Sequence, residues 1–185
     1  MNKPEIVKYE DFSLEEKKEE KQKFDYGCAM LHFDFPKMTE LHELIDQDDV
    51  YTEEGDRSFG LETDPHVTLL YGLHDDVDGE KVGEICRSHK FENMLLENLS
   101  CFENEKFDVL KFDVKGDSLH ACNKMLAELP HTTDFPNYHP HATIGYLKPG
   151  TAKGYIEKIK KESHDITPKA IVYSMPSGKK LKWDI

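Results

Sequence analysis

The stretch PHVTLLYGL at residues 65–73 and the stretch PHATIGYL at residues 140–147 decide the fold of this chain. Each begins with Pro-His-x-Thr and continues with apolar residues, as a half-buried strand does. Each also lies between a strand and helix before it and a helix and strand after it. This repeated order predicts an α+β fold with two lobes related by a pseudo-twofold axis.

Each motif strand presents its histidine and threonine on one face, because side chains two apart in a strand point the same way. That face holds His66 with Thr68 in one strand and His141 with Thr143 in the other. Polar pairs on apolar strands cost stability unless they meet solvent or a ligand, which favours a shared cleft. The opposite face is predicted to pack in the core, with Val67, Leu69, Tyr71, Ala142, Ile144 and Tyr146.

These four polar side chains suit phosphodiester cleavage. A neutral imidazole can take a proton from the attacking group and an imidazolium can give one to the leaving oxygen, both near neutral pH. Threonine hydroxyls can donate hydrogen bonds to the non-bridging oxygens, where negative charge must be held. A base and an acid on opposite sides of one phosphorus need no metal ion, so no cofactor is predicted.

A third Pro-His-x-Thr occurs at residues 130–133, but residues 134–136 (DFP) cannot continue a buried strand. We therefore place His131 in a loop and assign the second active histidine to His141. A metal site formed by His131, His139 and His141 is the alternative interpretation. It is disfavoured because no carboxylate or cysteine stands at ligand spacing.

Composition limits the kind of ligand. The chain has 185 residues and a formal net charge of -13, whereas proteins that grip long nucleic acids usually present a basic surface. A small oligonucleotide held by local donors remains compatible with this charge. Four cysteines without a C-x-x-C pair, no signal sequence and no apolar run of ~20 residues predict a cytoplasmic protein that does not contact membranes.

For domain organisation we predict a charged N-terminal arm at residues 1–23 and one bilobal domain at residues 24–185, with lobes at about 24–102 and 103–185. Strands are predicted at residues 26–35, 66–73, 93–102, 107–114, 141–147 and 168–174, with a short one ending at Trp183, and helices at about 38–46, 79–89, 117–129 and 151–162, with Thr39 and Asp117 as caps of the first and third helices.

With these motifs, residues 24–174 resemble the 2H phosphoesterase superfamily, named for its two histidines. The resemblance implies antiparallel-sheet lobes around a central groove and metal-independent action on cyclic phosphates or on 2′–5′ or 3′–5′ linkages. The LLYGL sequel, the length and the late tryptophan are most similar to phage anti-CBASS proteins, which degrade the cyclic nucleotide messengers of bacterial antiviral immunity. His66 and His141 would then be the acid–base pair, and Thr68 and Thr143 the phosphate ligands.

The resemblance does not identify the residues that contact the bases. Aromatic side chains stack on bases, but they also seal cores, and a lysine after a strand is often only solvated. The candidates for substrate binding are Tyr26, Phe33, Phe35, Lys148 and Trp183.

The predicted function is hydrolysis of the 3′–5′ bonds of cyclic di- or trinucleotide messengers to linear products, which would block CBASS defence in the host cytoplasm. One alternative within the same fold is a phosphodiesterase for 2′–5′ oligoadenylate or for RNA 2′,3′-cyclic phosphate ends. A second alternative is a non-catalytic protein that sequesters nucleotides.

Overall fold

The computed structural model describes residues 23–185, so the predicted arm lies outside it except for its last residue. All the predicted strands and helices occur in this range; the strands at 66–73, 141–147 and 168–174 have the predicted ends, and the other elements have shifted ends. In chain order they are β1 (Gly27–Phe33), α1 (Lys37–Glu43), β2 (His66–Leu73), α2 (Gly79–Arg87), β3 (Leu95–Glu103), β4 (Asp108–Lys115), α3 (Leu119–Leu126), β5 (His141–Leu147), α4 (Ala152–Lys158), β6 (His164–Asp165), β7 (Pro168–Ser174) and β8 (Lys180–Asp184), with a short 3₁₀ helix at Gln47–Asp49.

The strands form two four-stranded antiparallel sheets with equivalent orders. The first sheet is ordered β2-β1-β7-β8 and the second β5-β4-β3-β6. Each motif strand is therefore an edge strand, and its neighbour is the strand that opens its half of the chain. This confirms the predicted fold class, two related antiparallel sheets with flanking helices.

The two sheets exchange strands between the halves of the chain. β3 pairs with β4, and β7 pairs with β1 and β8. The predicted lobe boundary at residues 102 and 103 is therefore wrong. β3 and β4 are joined by a short turn and pair as a hairpin, as consecutive antiparallel strands usually do. That hairpin draws residues 95–103 into the second sheet, and residues 168–184 complete the first.

Helices cover one face of each sheet. α2 and α3 pack on the first sheet, and α1 and α4 pack on the second. Val67, Leu69, Ala142 and Ile144 are buried on these covered faces, as predicted. The opposite faces, which carry the motif histidines and threonines, are called the open faces below.

The helix caps differ from the predicted ones. Pro36 occupies the cap position of α1, so Thr39 lies within the helix, as the fixed φ of proline suits a helix start. Ser118 precedes α3, and the Asp117 carboxylate instead accepts a hydrogen bond of 2.7 Å from the Asn93 side chain. None of the helices in residues 23–185 is long and apolar enough to cross a membrane.

Candidate active site

Both motif histidines are oriented by the same local hydrogen bond. The Nδ1 atom of His66 lies 2.8 Å from the carbonyl oxygen of Asp64, and that of His141 lies 2.8 Å from the carbonyl oxygen of His139. A carbonyl oxygen can only accept, so Nδ1 carries the hydrogen in each imidazole. The Nε2 atom of each ring is then left to accept or return a proton.

The two motif strands, β2 and β5, are in contact with each other. Each belongs to a different sheet and carries its histidine and threonine on the open face of that sheet. Tyr138, three residues before β5, donates a hydrogen bond of 2.8 Å from its hydroxyl to the carbonyl oxygen of Thr68 in β2. A positive charge on His66 also contributes to lowering the pKa of His141. The two imidazoles are therefore within electrostatic range of each other.

Both motif strands contain a β-bulge at the equivalent position. In β2 the pairing with β1 passes over Leu69, the residue after Thr68. In β5 the pairing with β4 passes over Ile144, the residue after Thr143. One extra residue in a strand reverses the alternation of side chains beyond it. Bulges at these points therefore change which residues share a face with the histidines.

The bulges return a tyrosine to each open face. Beyond its bulge, Tyr71 pairs with Cys28, whose thiol lies 4.0 Å from the Thr68 hydroxyl on the open face. Tyr71 is 51% exposed and Tyr146 is half-buried. The prediction that both tyrosines pack in the core is wrong, because it assumed uninterrupted alternation along each strand.

His66 has acidic and aromatic neighbours. The His32 ring stacks on it with a centroid separation of 5.3 Å and an interplanar angle of 21°. His32 donates from Nδ1 to the Asp64 carboxylate at 3.0 Å. Burial lowers the pKa of His32, although this hydrogen bond opposes the effect. The Glu62 carboxylate lies 3.8 Å from Nδ1 of His66.

His141 has a buried cation beside it. Lys111 is only 6% exposed, its ammonium lies 4.5 Å from the Phe102 ring centroid, and it donates a hydrogen bond to Asp113. In the sheet, Lys111 is directly opposite Thr143 and Asp113 is opposite His141. Burial lowers the pKa of His141, and the charge of Lys111 lowers it further.

These neighbouring residues were not among the predicted site residues. In β4 the polar side chains Lys111 and Asp113 alternate with Leu110 and Phe112, so their common face could be read from the sequence. What periodicity does not give is the pairing of β4 with β5, which brings that face to His141. Pairing across the sheet, not local pattern, defines this part of the site.

Of the predicted substrate-binding residues, Tyr26 lies beside the open face. Its ring packs edge-on against Tyr71 with centroids 6.0 Å apart. Lys148 follows the end of β5, about 15 Å along the strand from Thr143, too far for its side chain to share a phosphate with that hydroxyl.

The other three predicted aromatics are in the core, so those predictions are wrong. Phe33 is 0% exposed and Phe35 is 8% exposed, the latter edge-on to Phe112 with centroids 6.0 Å apart. Trp183 is 4% exposed on the covered face of β8, where it packs against Gly83 of α2. The helix α2 covers Trp183, and Phe35 packs on rings of the second sheet, so their positions could not be read from strand pattern alone.

The third copy of the motif lies outside the strands. His131 repeats the local hydrogen bond, with Nδ1 2.9 Å from the carbonyl oxygen of Leu129, and forms a single bridge with Leu73 at the end of β2. Within residues 23–185, no three histidine, cysteine, aspartate or glutamate side chains are grouped so that they could hold a metal ion.

Two related sheets with a His-x-Thr pair on each of two adjacent edge strands define a protein of the 2H phosphoesterase class. The family model described as "Anti-CBASS protein Acb1" matches residues 60–169, which include both motifs and more than half of the chain. The chain therefore belongs to the Acb1 family of anti-CBASS proteins, and the resemblance drawn from the motifs is confirmed.

Among solved structures, the chain is similar to that of Kluyveromyces marxianus Usb1 with uridine monophosphate. The TM-score is 0.51 at 9% sequence identity, and the match covers 87% of this chain and 98% of that chain. This likeness supports the fold. A search of curated proteins found no match.

Proposed function

We propose that this protein is a metal-independent phosphodiesterase that cleaves the 3′–5′ bonds of cyclic di- or trinucleotide immune messengers. Phage-encoded and acting in the host cytoplasm, it would convert them to linear products and so block CBASS defence. The observation that carries the proposal is the matched pair of imidazoles, His66 and His141, each with Nδ1 bound to a backbone carbonyl and Nε2 left for proton transfer. Family membership supplies the biological context.

His141 is the proposed general base of the first step. Burial and the neighbouring Lys111 lower its pKa below the ordinary histidine value, so its imidazole is neutral and can accept a proton. His141 would remove the proton from a ribose 2′-hydroxyl. The 2′ oxygen then attacks the adjacent phosphorus and forms the new P–O bond.

His66 is the proposed general acid. The Glu62 carboxylate lies 3.8 Å from its Nδ1 atom, and its Nε2 atom is free of the backbone hydrogen bond. His66 would donate its proton to the departing 5′ oxygen as the P–O bond breaks, leaving a linear product with a 2′,3′-cyclic phosphate. Water could then open this ring, with the two histidines exchanging roles.

Local donors offset the negative charge of the chain at this site. The hydroxyls of Thr68 and Thr143 would bind the non-bridging oxygens, and the Lys111 ammonium lies beside Thr143 across the sheet. Lys180 and Lys182 lie on the open face of β8, since they alternate with the buried Leu181 and Trp183. A net charge of -13 combined with such local cations favours a small anionic ligand over a polymer.

The test is to incubate the full-length protein with cyclic 3′–5′ di- and trinucleotides, 2′–5′ oligoadenylate and RNA ending in a 2′,3′-cyclic phosphate. Each reaction is run with and without EDTA, and products are separated by chromatography and identified by mass. Linear products from the cyclic substrates, unchanged by EDTA, are expected. Cleavage of only the 2′–5′ or RNA substrates would replace the proposed substrate, and binding without any cleavage would indicate a nucleotide-sequestering protein.

The chain offers a matched control for the histidine assignment. The His66→Ala, His141→Ala double variant should lose cleavage, whereas His131→Ala should retain it. His131 shares the Pro-His-x-Thr sequence and the same backbone hydrogen bond but lies outside the motif strands. Equal activity in the double variant and the wild type would contradict the assignment.

A further inference from the structure

The two motif strands share a longer sequence pattern than His-x-Thr. A tyrosine follows each threonine by three residues, so that His-x-Thr-x-x-Tyr occurs as His66, Thr68 and Tyr71 and again as His141, Thr143 and Tyr146. In a regular strand a spacing of three would direct tyrosine and threonine to opposite faces.

The equivalent bulges remove this conflict. Beyond the bulge in β5, Tyr146 pairs with Val109, which alternates in phase with Lys111 and Asp113 on the open face of β4. Tyr71 likewise pairs with Cys28 on the open face of β1. Each tyrosine therefore lies on the same face as its own histidine and threonine.

Both tyrosines are available to a ligand. Tyr71 is 51% exposed, and its ring contacts that of Tyr26 edge-on. Tyr146 is half-buried and is held by Phe59 and Phe107 at centroid distances of 5.2 and 5.3 Å. Within residues 23–185 neither tyrosine hydroxyl has a hydrogen-bond partner, unlike those of Tyr51, Tyr138 and Tyr155.

The distance along the strand suits a nucleoside. With one residue taken up by the bulge, each tyrosine is two strand steps from its threonine, or about 7 Å. This is comparable to the sugar that separates a base from its phosphate. A phosphate held between the two threonines would thus place one flanking nucleoside toward each tyrosine, and aromatic side chains bind bases by stacking without regard to sequence.

We propose that Tyr71 and Tyr146 bind the two nucleosides on either side of the scissile phosphate, one tyrosine to each. The inference rests on the proposed function for its phosphate position, but it concerns binding and not cleavage. Under this proposal, each half of the pseudo-twofold fold supplies one histidine, one threonine and one tyrosine to the nucleotide site.

The proposal is tested by removing a tyrosine ring from the protein and a base from the ligand, separately and together. Wild-type, Tyr71→Ala and Tyr146→Ala proteins are titrated calorimetrically with the 2′-deoxy dinucleotide dApA, which lacks the attacking hydroxyl. The same titrations use two analogues in which either the 5′ or the 3′ adenine is absent. Each alanine variant should bind dApA about 5- to 150-fold more weakly than wild type, the range for loss of one base–aromatic stack.

The pattern across the analogues decides the question. A tyrosine variant should lose no affinity for the analogue that already lacks the base bound by that tyrosine. One variant should therefore bind the analogue lacking the 5′ base within twofold of wild type. The other variant should do so for the analogue lacking the 3′ base. Equal weakening for all three ligands, no weakening, or no measurable binding of dApA to the wild type would overturn the proposal.

Controls separate binding from folding. Tyr71→Phe and Tyr146→Phe keep the rings and should bind dApA within about threefold of wild type. Tyr51→Ala removes a ring that contacts Phe59 and Phe107 but does not belong to a motif strand, and it should leave binding unchanged. If each tyrosine variant matches a different base-lacking analogue but the protein cleaves no nucleotide, the tyrosine sites are supported and the phosphodiesterase is rejected. If the protein cleaves nucleotides but the variants do not match the analogues in this way, the phosphodiesterase is supported and the tyrosine sites are rejected.

Discussion

Replacing Lys111 with methionine removes one buried charge next to the proposed phosphate site while retaining an unbranched side chain that can pack on Phe102. Directly opposed residues of antiparallel strands have Cβ atoms about 5 Å apart, so the ammonium of Lys111 can reach an oxygen bound by Thr143. A charge-assisted hydrogen bond contributes about 1.5–3 kcal/mol. We therefore expect kcat/KM for a cleaved cyclic dinucleotide to fall by about 10- to 150-fold.

The pH profile gives a second measurement for the same variant. The Lys111 charge lowers the pKa of His141 in the native protein, so its removal raises that pKa. On acidification, His141 of the variant would then become protonated, and inactive as a base, at a higher pH than in the wild type. The acid limb of kcat/KM should accordingly move to higher pH in Lys111→Met, as measured from initial rates between about pH 4.5 and 8.5, a range of about two units on either side of the pKa of an ordinary histidine.

Stability must be controlled, because Lys111→Met leaves the Asp113 carboxylate without its cation. The side chain of Asp113 is 39% exposed and keeps a hydrogen bond from Asn98, so the cost should be well below that of a fully buried pair. Lys115→Met is the matched control, since Lys115 lies in the same strand with a 70% exposed side chain paired to Glu97. Unchanged kcat/KM and an unchanged pH profile in Lys111→Met would refute the role.

Replacing His66 or His141 singly with alanine should lower kcat by two to four orders of magnitude, because each change removes a general acid or base; a loss below tenfold would contradict this. Gly72→Ala should lower the free energy of unfolding by at least about 2 kcal/mol in urea, since Gly72 has a φ of +110° and a Cβ would lie 2.0 Å from the Thr132 carbonyl oxygen. Trp183→Ala should lower it by about 3–5 kcal/mol with an unchanged KM, whereas a raised KM would restore a substrate-binding role. The melting temperature should fall as the pH drops below 6.5, because the lowered pKa values of His32 and His141 mean that the unfolded chain takes up protons first.

Much of the fold could be predicted from local pattern. The strand and helix order, the repeat of two halves and the common face of each His-x-Thr pair follow from periodicity and motif spacing. Local pattern did not predict how the strands are distributed between the sheets. The strand β3 pairs with β4, although strands of the first half also have apolar faces on which it could have paired. Periodicity reports the face of a strand but not its neighbour.

The errors at the site have two physical causes. The first is the pair of bulges, which moves Tyr71 and Tyr146 from the expected core positions to the open faces; a bulge changes side-chain direction without changing composition. The second is packing between elements, which buries Phe33 in the core and Trp183 against α2. Residue type alone does not tell whether an aromatic side chain is exposed or buried, because that depends on the elements packed against it.

In the proposed mechanism this symmetric fold must supply two histidines in opposite protonation states. The motif strands alone cannot do so, because their hydrogen bonds to His66 and His141 are the same. The difference comes from the second strand of each sheet. Across from His66 and Thr68 lie the neutral His32 and Met30, whereas Asp113 and Lys111 lie across from His141 and Thr143.

In the proposed mechanism the repeated strands would place two histidines at one phosphate, and the neighbouring strands β1 and β4 surround these histidines with different side chains. The Glu62 carboxylate lies 3.8 Å from Nδ1 of His66, and the charge of Lys111 lowers the pKa of His141. Since each of these charges lies outside the His-x-Thr motif, the motif can specify the class of reaction without specifying its direction. We infer that the strands paired with β2 and β5 determine the direction of proton transfer in the proposed reaction.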